Sequence, residues 1–175
     1  MKKGLLWLLV LIVLVGGTFY YSRGELLGKD AVMKQAWLSL ESLLDRRADL
    51  TAQLARKLDE QNPERHFAQM VMLARPSQIA WTPYGKIHAN WKLNEVRAVM
   101  PAAGEGTADI SGQIQAIENQ MEVEGQRYNE SLREYNNALE RFPHKYVAKV
   151  LGLSQNWPSY YAREPEMMKQ FLPPS

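Results

Sequence analysis

The stretch "RYNESLREYNNALERFP", residues 127–143, decides the fold. On an α-helix Tyr128, Leu132, Tyr135, Leu139 and Phe142 advance by alternating steps of four and three residues, which keeps them on one face. That face is a packing seam. The Tyr-Asn pair occurs twice at heptad spacing, so Asn129 and Asn136 occupy equivalent places beside the seam. Each has three choices there: a hydrogen bond to a neighbouring helix, a hydrogen bond to the returning tail, or water. Upstream the register continues through Ile110, Ile114, Ile117 and Met121, and its one omitted position is Glu124, next to Gly125. The pattern predicts a long helix from about Asp109 to Phe142, stopped by Pro143. Heptads this regular, without strand-like alternation of comparable length, predict an all-α fold, an antiparallel four-helix bundle. A seam of this kind is core rather than a cofactor box.

Three earlier helices are expected to complete the bundle. Asp30 is a plausible N-cap for a helix reaching about Glu60, with Met33, Trp37, Leu40, Leu44, Leu54 and Leu58 on one ladder and Arg47 and Thr51 interrupting it. Asn62-Pro63-Glu64 offers an N-cap, a proline at the first helical position and an acid in the first turn, so a second helix should begin there and weaken at Arg75-Pro76. Residues 76–85, "PSQIAWTPYG", read as a connection. A third helix follows from about Lys86 to Met100, with Ile87, Trp91, Asn94 or Glu95, and Ala98 on one face, and "PAAGEG" ends it. In an up-down-up-down arrangement Arg47 lies level with Glu124. The two interruptions are therefore expected to form a buried or half-buried ion pair that fixes register.

Residues 4–22, "GLLWLLVLIVLVGGTFYYS", carry no charge, follow Lys2-Lys3 and end in Phe19, Tyr20 and Tyr21. At ~1.5 Å per residue the run nearly crosses a hydrocarbon core ~30 Å thick. It fits a transmembrane anchor with an aromatic belt; the rival reading is a cleaved signal peptide with Gly16 and Gly17 near the cut. The aromatics beyond those glycines favour the anchor. The basic amino end favours a cytoplasmic N-terminus with the bundle outside, although Arg23, Lys29 and Lys34 follow closely on the other side. The expected organisation is an anchor over residues 1–22, a joint over 23–29 bracketed by Gly24 and Gly28, the bundle over 30–142, and an aromatic tail over 143–175.

Composition narrows the function. A chain of 175 residues holds one modest domain behind such an anchor. It has no Cys, which removes disulfides, thiolate metal sites and a cysteine nucleophile. The three His residues, His66, His88 and His144, are too scattered for a metal-ligand pattern. Behind Lys2-Lys3 the basic and acidic side chains balance, so the footprint of a nucleic-acid binder is missing. There is no GxSxG, P-loop or HExxH, and Glu118, Glu122 and Glu124 lack the ExxH partners of a di-iron bundle. No cofactor is expected, and an enzyme is the disfavoured class.

Two motifs resemble a known family. "MKQAWLSLESLLDRRADLTAQL", residues 33–54, is similar to the AW…L..R.DL signature of the LemA family, on Trp37, Arg46, Arg47, Asp49 and Leu50. "ENQMEVEGQRYNESLREYNNALERFP", residues 118–143, is similar to its E-N…YN…YN..I..FP signature, on Glu118, Asn119, Tyr128, Asn129, Tyr135, Asn136, Phe142 and Pro143. The resemblance implies a membrane-anchored four-helix bundle. It names no reaction. Members are discussed alongside HtpX-type membrane zinc metallopeptidases, and one relative, MamQ, belongs to the set of proteins that builds magnetosome membranes. The chain departs from the pattern at the missing Tyr-Asn pair after the anchor, at Gly125 where the family tends to have Arg, and at residues 76–85.

The expected function is thus a non-enzymatic scaffold or adaptor, single-pass in a bacterial inner membrane. Its expected partners are lipid, a membrane protein such as a zinc metallopeptidase, and further copies of itself. The alternative is a lipid-binding or membrane-remodelling protein acting through its tail. Trp81, Tyr84, Lys145, Lys149, Trp157, Tyr160 and Tyr161 are the candidates for contact with the bilayer surface. The bland alternative is that the tail caps the bundle.

Overall fold

Helix α1 runs unbroken from Lys2 to Gln61. The structure, a computed structural model, describes residues 2–74, 82–102, 104 and 106–161. After α1 come a 3-10 turn at Pro63–Arg65, α2 (Phe67–Ala74), α3 (Pro83–Val99), α4 (Ala108–Glu140) and α5 (His144–Leu151). No strand occurs among the described residues.

The expected joint and the helix start at Asp30 are not found: Gly24 and Gly28 are helical and solvent-facing. A glycine costs a helix about 1 kcal/mol relative to alanine, too little to stop one supported on both sides. Asp30 instead lies buried within α1, its carboxylate accepting from Lys34 Nζ at 2.7 Å. The second helix also starts late. Asn62 makes no side-chain cap, and His66 takes the left-handed conformation at φ 53°. Asp59 supplies the cap, accepting from the Phe67 and Ala68 amides at 2.7 and 2.8 Å. Helix α3 starts before Lys86, with Thr82 as N-cap, its hydroxyl accepting from Gly85 N at 3.1 Å, and Pro83 in the first turn.

The chain forms two compact units. The first takes α1 as far as Ala36 together with Glu130–Asn156; the second takes Trp37–Asn129 with the segment from Trp157 onward. In the first unit, Leu6 to Val15 are all exposed, as are Tyr20 and Tyr21, and the packed face of α1 begins at Ser22 and continues through Leu26, Asp30 and Met33. Opposite stand Leu132, Tyr135, Ala138 and Leu139 of α4 and His144, Val147 and Ala148 of α5. The α4 seam stops short of Phe142, which is 83% exposed. Helix α4 ends at Glu140, so Phe142 lies in the turn before α5 and no longer follows the heptad.

In the second unit the α1 ladder Trp37, Leu40, Leu44, Arg47, Thr51, Leu54 and Leu58 is buried, and so are Ile110, Ile114, Ile117, Met121 and Tyr128 of α4. Gly125, not Glu124, occupies the seam position between Met121 and Tyr128. The buried face of α3 is Gly85, Ile87, Asn90 and Leu93, whereas Trp91 and Ala98 are exposed. Of the expected face only Ile87 is buried, because Asn90, a polar residue, takes the core position next to it. Lys86 ties α3 to α1, with Nζ 2.8 Å from Glu41 and 2.7 Å from Asp45. Burial pulls its ammonium down, but hydrogen bonds to Asp45 and Glu41 outweigh that and hold it above the usual lysine value.

Candidate functional site

The densest polar arrangement in the second unit is built on Arg47, which is 3% exposed. Its Nε and Nη2 both donate to Glu118 Oε1, at 2.9 and 2.8 Å; Nη1 donates to Asn90 Oδ1 at 2.7 Å and Nη2 to Asn94 Oδ1 at 2.6 Å. Three helices therefore meet on one guanidinium. Helix geometry explains the set: Asn90 and Asn94 sit one turn apart on α3, so both carboxamides reach the same partner. Thr51, the other polar residue of the ladder, donates its hydroxyl to the Arg47 carbonyl at 2.8 Å and needs no distant acceptor. The expected Arg47–Glu124 pair does not form. Glu124 stands 3.9 Å from Arg127 on its own helix, and its Oε2 is buried without a hydrogen bond among the described residues. It lines an open groove with Ser39, Ser42, Leu43, Asn119, Gln120 and Val123. The register is one α4 turn and a half from the expected one, because Gly125 takes the seam.

The tail is held by the Tyr-Asn residues. In the second unit Tyr128 Oη donates to Pro158 O at 2.7 Å, and Asn129 Oδ1 accepts from Ser159 Oγ at 3.1 Å and Tyr160 N at 2.9 Å. Trp37 packs edge-on against Tyr128 and Trp157, with ring centroids 5.4 and 6.3 Å away. The Tyr160 ring lies over Gly125, so that a Cβ there would come within 2.4 Å of Tyr160 Cδ1. Arg47 and Glu118 act electrostatically on the Tyr160 phenol, so this part of the tail lies beside the Arg47 cluster. Tyr161 Oη donates to Glu122 Oε1 at 2.8 Å. In the first unit Tyr135 Oη donates to Ser154 O at 3.2 Å, and the Asn136 backbone carbonyl accepts from Gln155 Nε2 at 3.4 Å, while Asn136 Oδ1 is buried with no hydrogen bond among the described residues.

Burial pushes the phenols of Tyr84, Tyr128, Tyr135 and Tyr160 up. For Tyr161 burial and the Glu122 carboxylate together raise it to about 12. None of these phenols is poised to act as a base near neutrality.

The remaining motif residues divide cleanly. Trp37 and Leu50 are core; Arg46, Asp49 and Asn119 are exposed; Pro143 is half-buried. Of the residues expected at a bilayer surface, Trp157 and Tyr160 are turned onto the second unit's own helices, Tyr84 is half-buried, Tyr161 is bound to Glu122, and Lys145 and Lys149 are exposed. Trp81 lies outside the described residues. Sequence reasoning missed Asn90 and Asp59, and placed Asn94 on the α3 face without its partner Arg47. The one usable signal was the Asn90/Asn94 spacing, which presents two carboxamides on one helix face. Among the described residues no three of His, Asp and Glu gather as a metal site would require.

Both motifs are thus joined in the fold, Arg47 to Glu118 and the Tyr-Asn pairs to the tail. The family pattern of LemA matches residues 36–170. The chain belongs to the LemA family. No curated protein and no solved structure matches it. The LemA match begins beyond the apolar part of α1 and takes in the Arg47 cluster, both Tyr-Asn pairs and the tail. Gly125 has a local explanation: a larger side chain would collide with Tyr160.

Proposed function

We propose that the chain is a membrane-tethered, non-enzymatic scaffold or adaptor, its helices arranged as an antiparallel four-helix bundle behind a single span. On this reading it sits in a bacterial inner membrane, amino end cytoplasmic and helical domain periplasmic, and binds a membrane partner or further copies of itself. An HtpX-type zinc protease is the partner class to test first. The observation that carries the reading is α1: one helix whose exposed apolar start, Leu6 to Val15, passes without interruption into a buried ladder ending at Leu58. The Arg47 guanidinium is satisfied by Glu118, Asn90 and Asn94, and the polar clusters among the described residues offer no convergent reactive groups.

The test is gentle detergent extraction of tagged full-length protein, followed by mass measurement of the intact particle and identification of its companions. A homogeneous oligomer or a stoichiometric membrane protein supports the scaffold. A lone monomer that carries nothing with it overturns it.

A further inference from the structure

In the first unit, two contacts fix where α5 lies. Lys29 Nζ is 3.2 Å from Glu134 Oε2, and Glu25 Oε2 is 3.0 Å from His144 Nε2. Numbers fall on α1 as they rise from Glu134 to His144, so α1 and α4 are antiparallel and Glu140, between the two contacts, comes level with residues 25–29 of α1. At the far end of α5 the chain turns at Gly152, φ 68°, and Gln155 Nε2 donates back to Glu140 Oε1 at 3.1 Å. Helix α5 thus begins level with Glu25, about one turn beyond Tyr20 and Tyr21, the aromatic border of the exposed apolar run of α1.

The inner face of α5 is complete: His144, Val147 and Ala148 are buried. Its outer face is unusual for water. Tyr146 and Val150, one turn apart on α5, are 65% and 74% exposed; Phe142, in the turn before it, is 83% exposed, and its ring touches that of Tyr146 edge-on at 6.1 Å. Lys145 and Lys149 are exposed on the same side, Arg141 precedes them, and no acid occurs from Arg141 to Ser154. An apolar stripe bordered by lysines, without acids, suits a headgroup layer: the rings replace loosely packed interfacial volume while the ammonium groups reach phosphate.

We propose that α5 is an interfacial helix, inserting Phe142, Tyr146 and Val150 into the headgroup layer of the bilayer that α1 crosses, with Lys145 and Lys149 engaging anionic phospholipid. The proposal rests on reading the start of α1 as a span. Charge complementarity and the position of α5 at the border of that span select lipid over a protein occupant. The helix would then set the depth and tilt of the domain.

Because the chain lacks cysteine, single-cysteine variants of the full-length protein carry one fluorescent probe each. Ile12→Cys, Gln126→Cys, Tyr146→Cys and Val150→Cys would be placed, one copy per disc, in phosphatidylcholine nanodiscs with or without phosphatidylglycerol. Quenching by lipids bearing a nitroxide near the headgroup or deep in the chain reads depth. The expected result is deep quenching at Ile12, shallow quenching with a blue shift at Tyr146 and Val150, and none at Gln126. In discs containing phosphatidylglycerol, Lys145→Glu/Lys149→Glu should lower the quenching at Tyr146 to the level seen with phosphatidylcholine alone. Quenching at Ile12 with none at Tyr146 and Val150 overturns the proposal and leaves the span intact. A Tyr146 probe shielded from lipid and from aqueous quencher alike means a protein occupant and also overturns it. No quenching at Ile12 removes the span itself, a failure distinct from that of α5.

Discussion

Arg47 places two of its nitrogens on a single oxygen of Glu118, at 2.9 and 2.8 Å, across three helices whose other polar groups at that point are the carboxamides of Asn90 and Asn94. The guanidinium is buried while the Glu118 side chain is 41% exposed, so water can replace part of what the carboxylate provides but nothing replaces the arginine's role as a shared donor.

Removing the carboxylate should therefore cost less than a fully buried pair would. Glu118→Ala is expected to destabilise the full-length protein by about 2 kcal/mol, the range for a hydrogen bond to a charged group. Glu124→Ala should cost under ~1 kcal/mol, because the carboxylate oxygen it removes is buried without a hydrogen bond and its contact with the exposed Arg127 is long, at 3.9 Å. Urea unfolding in mild detergent, followed by circular dichroism, separates them. A cycle with Arg47→Met should show coupling to Glu118 and none to Glu124. The reverse order would mean that Glu124 is the true partner.

Gly125 allows a test in which the sign of one substitution depends on another. Gly125→Ala should destabilise by about 1–3 kcal/mol through overpacking against the Tyr160 ring, which outweighs the helix propensity gained. With Tyr160→Ala already present, the same change should stabilise by up to ~1 kcal/mol, because only the propensity term remains. Equal effects in both backgrounds would show that the ring does not cover Gly125.

The two asparagines look equivalent in sequence and should behave differently. Asn129→Ala removes acceptors from Ser159 and the Tyr160 amide and should cost about 1–2 kcal/mol, with faster hydrogen exchange at the Tyr160 amide. Asn136→Ala deletes a buried carboxamide whose Oδ1 accepts nothing among the described residues, and should be close to neutral. Similar losses at both positions would rule out the asymmetry.

Alkaline pH should loosen the fold. Tyr128 and Tyr160 are held above the free phenol value by burial, and Tyr161 is raised to about 12. A pKa raised in the folded state means that the unfolded chain loses its protons first, near pH ~10. The stability these groups contribute is thus complete below that pH and is lost as pH climbs through the folded values. Lys86, also raised, acts in the same direction. Absorbance at 295 nm should show a delayed fraction among the eight tyrosines, with helicity falling as it titrates. Simple titration of all of them with helicity intact would contradict this packing.

Much of the fold was legible because its signals are local. Heptad spacing identified the buried ladder of α1 and most of that of α4, and every member from Met33 to Leu58 is buried, Arg47 and Thr51 included. The charge-free run identified the exposed apolar start of α1, and helix-stopping chemistry placed the end of α4 to within two residues. Other expectations failed where context overrides a local signal. Asp59, not Asn62, caps α2, and Gly24 and Gly28 do not interrupt α1, because a packed helix tolerates a propensity cost that an isolated one does not.

By itself the sequence determined that the chain is helical, where its seams lie, that an apolar run begins it, and that two LemA signatures occur in order. Which charges meet was decided only by the tertiary structure. Periodicity assigns a residue to a face but not to a level along a neighbouring helix, and a shift of one turn and a half exchanges Glu124 for Glu118 as the partner of Arg47. The same holds for the aromatic tail. Trp157 and Tyr160 look like interfacial residues by type, yet Trp37 and Gly125 give them packed positions, leaving Phe142, Tyr146 and Val150 as the exposed stripe. Side-chain chemistry sets what a residue can contact, and the register between distant segments sets what it does contact.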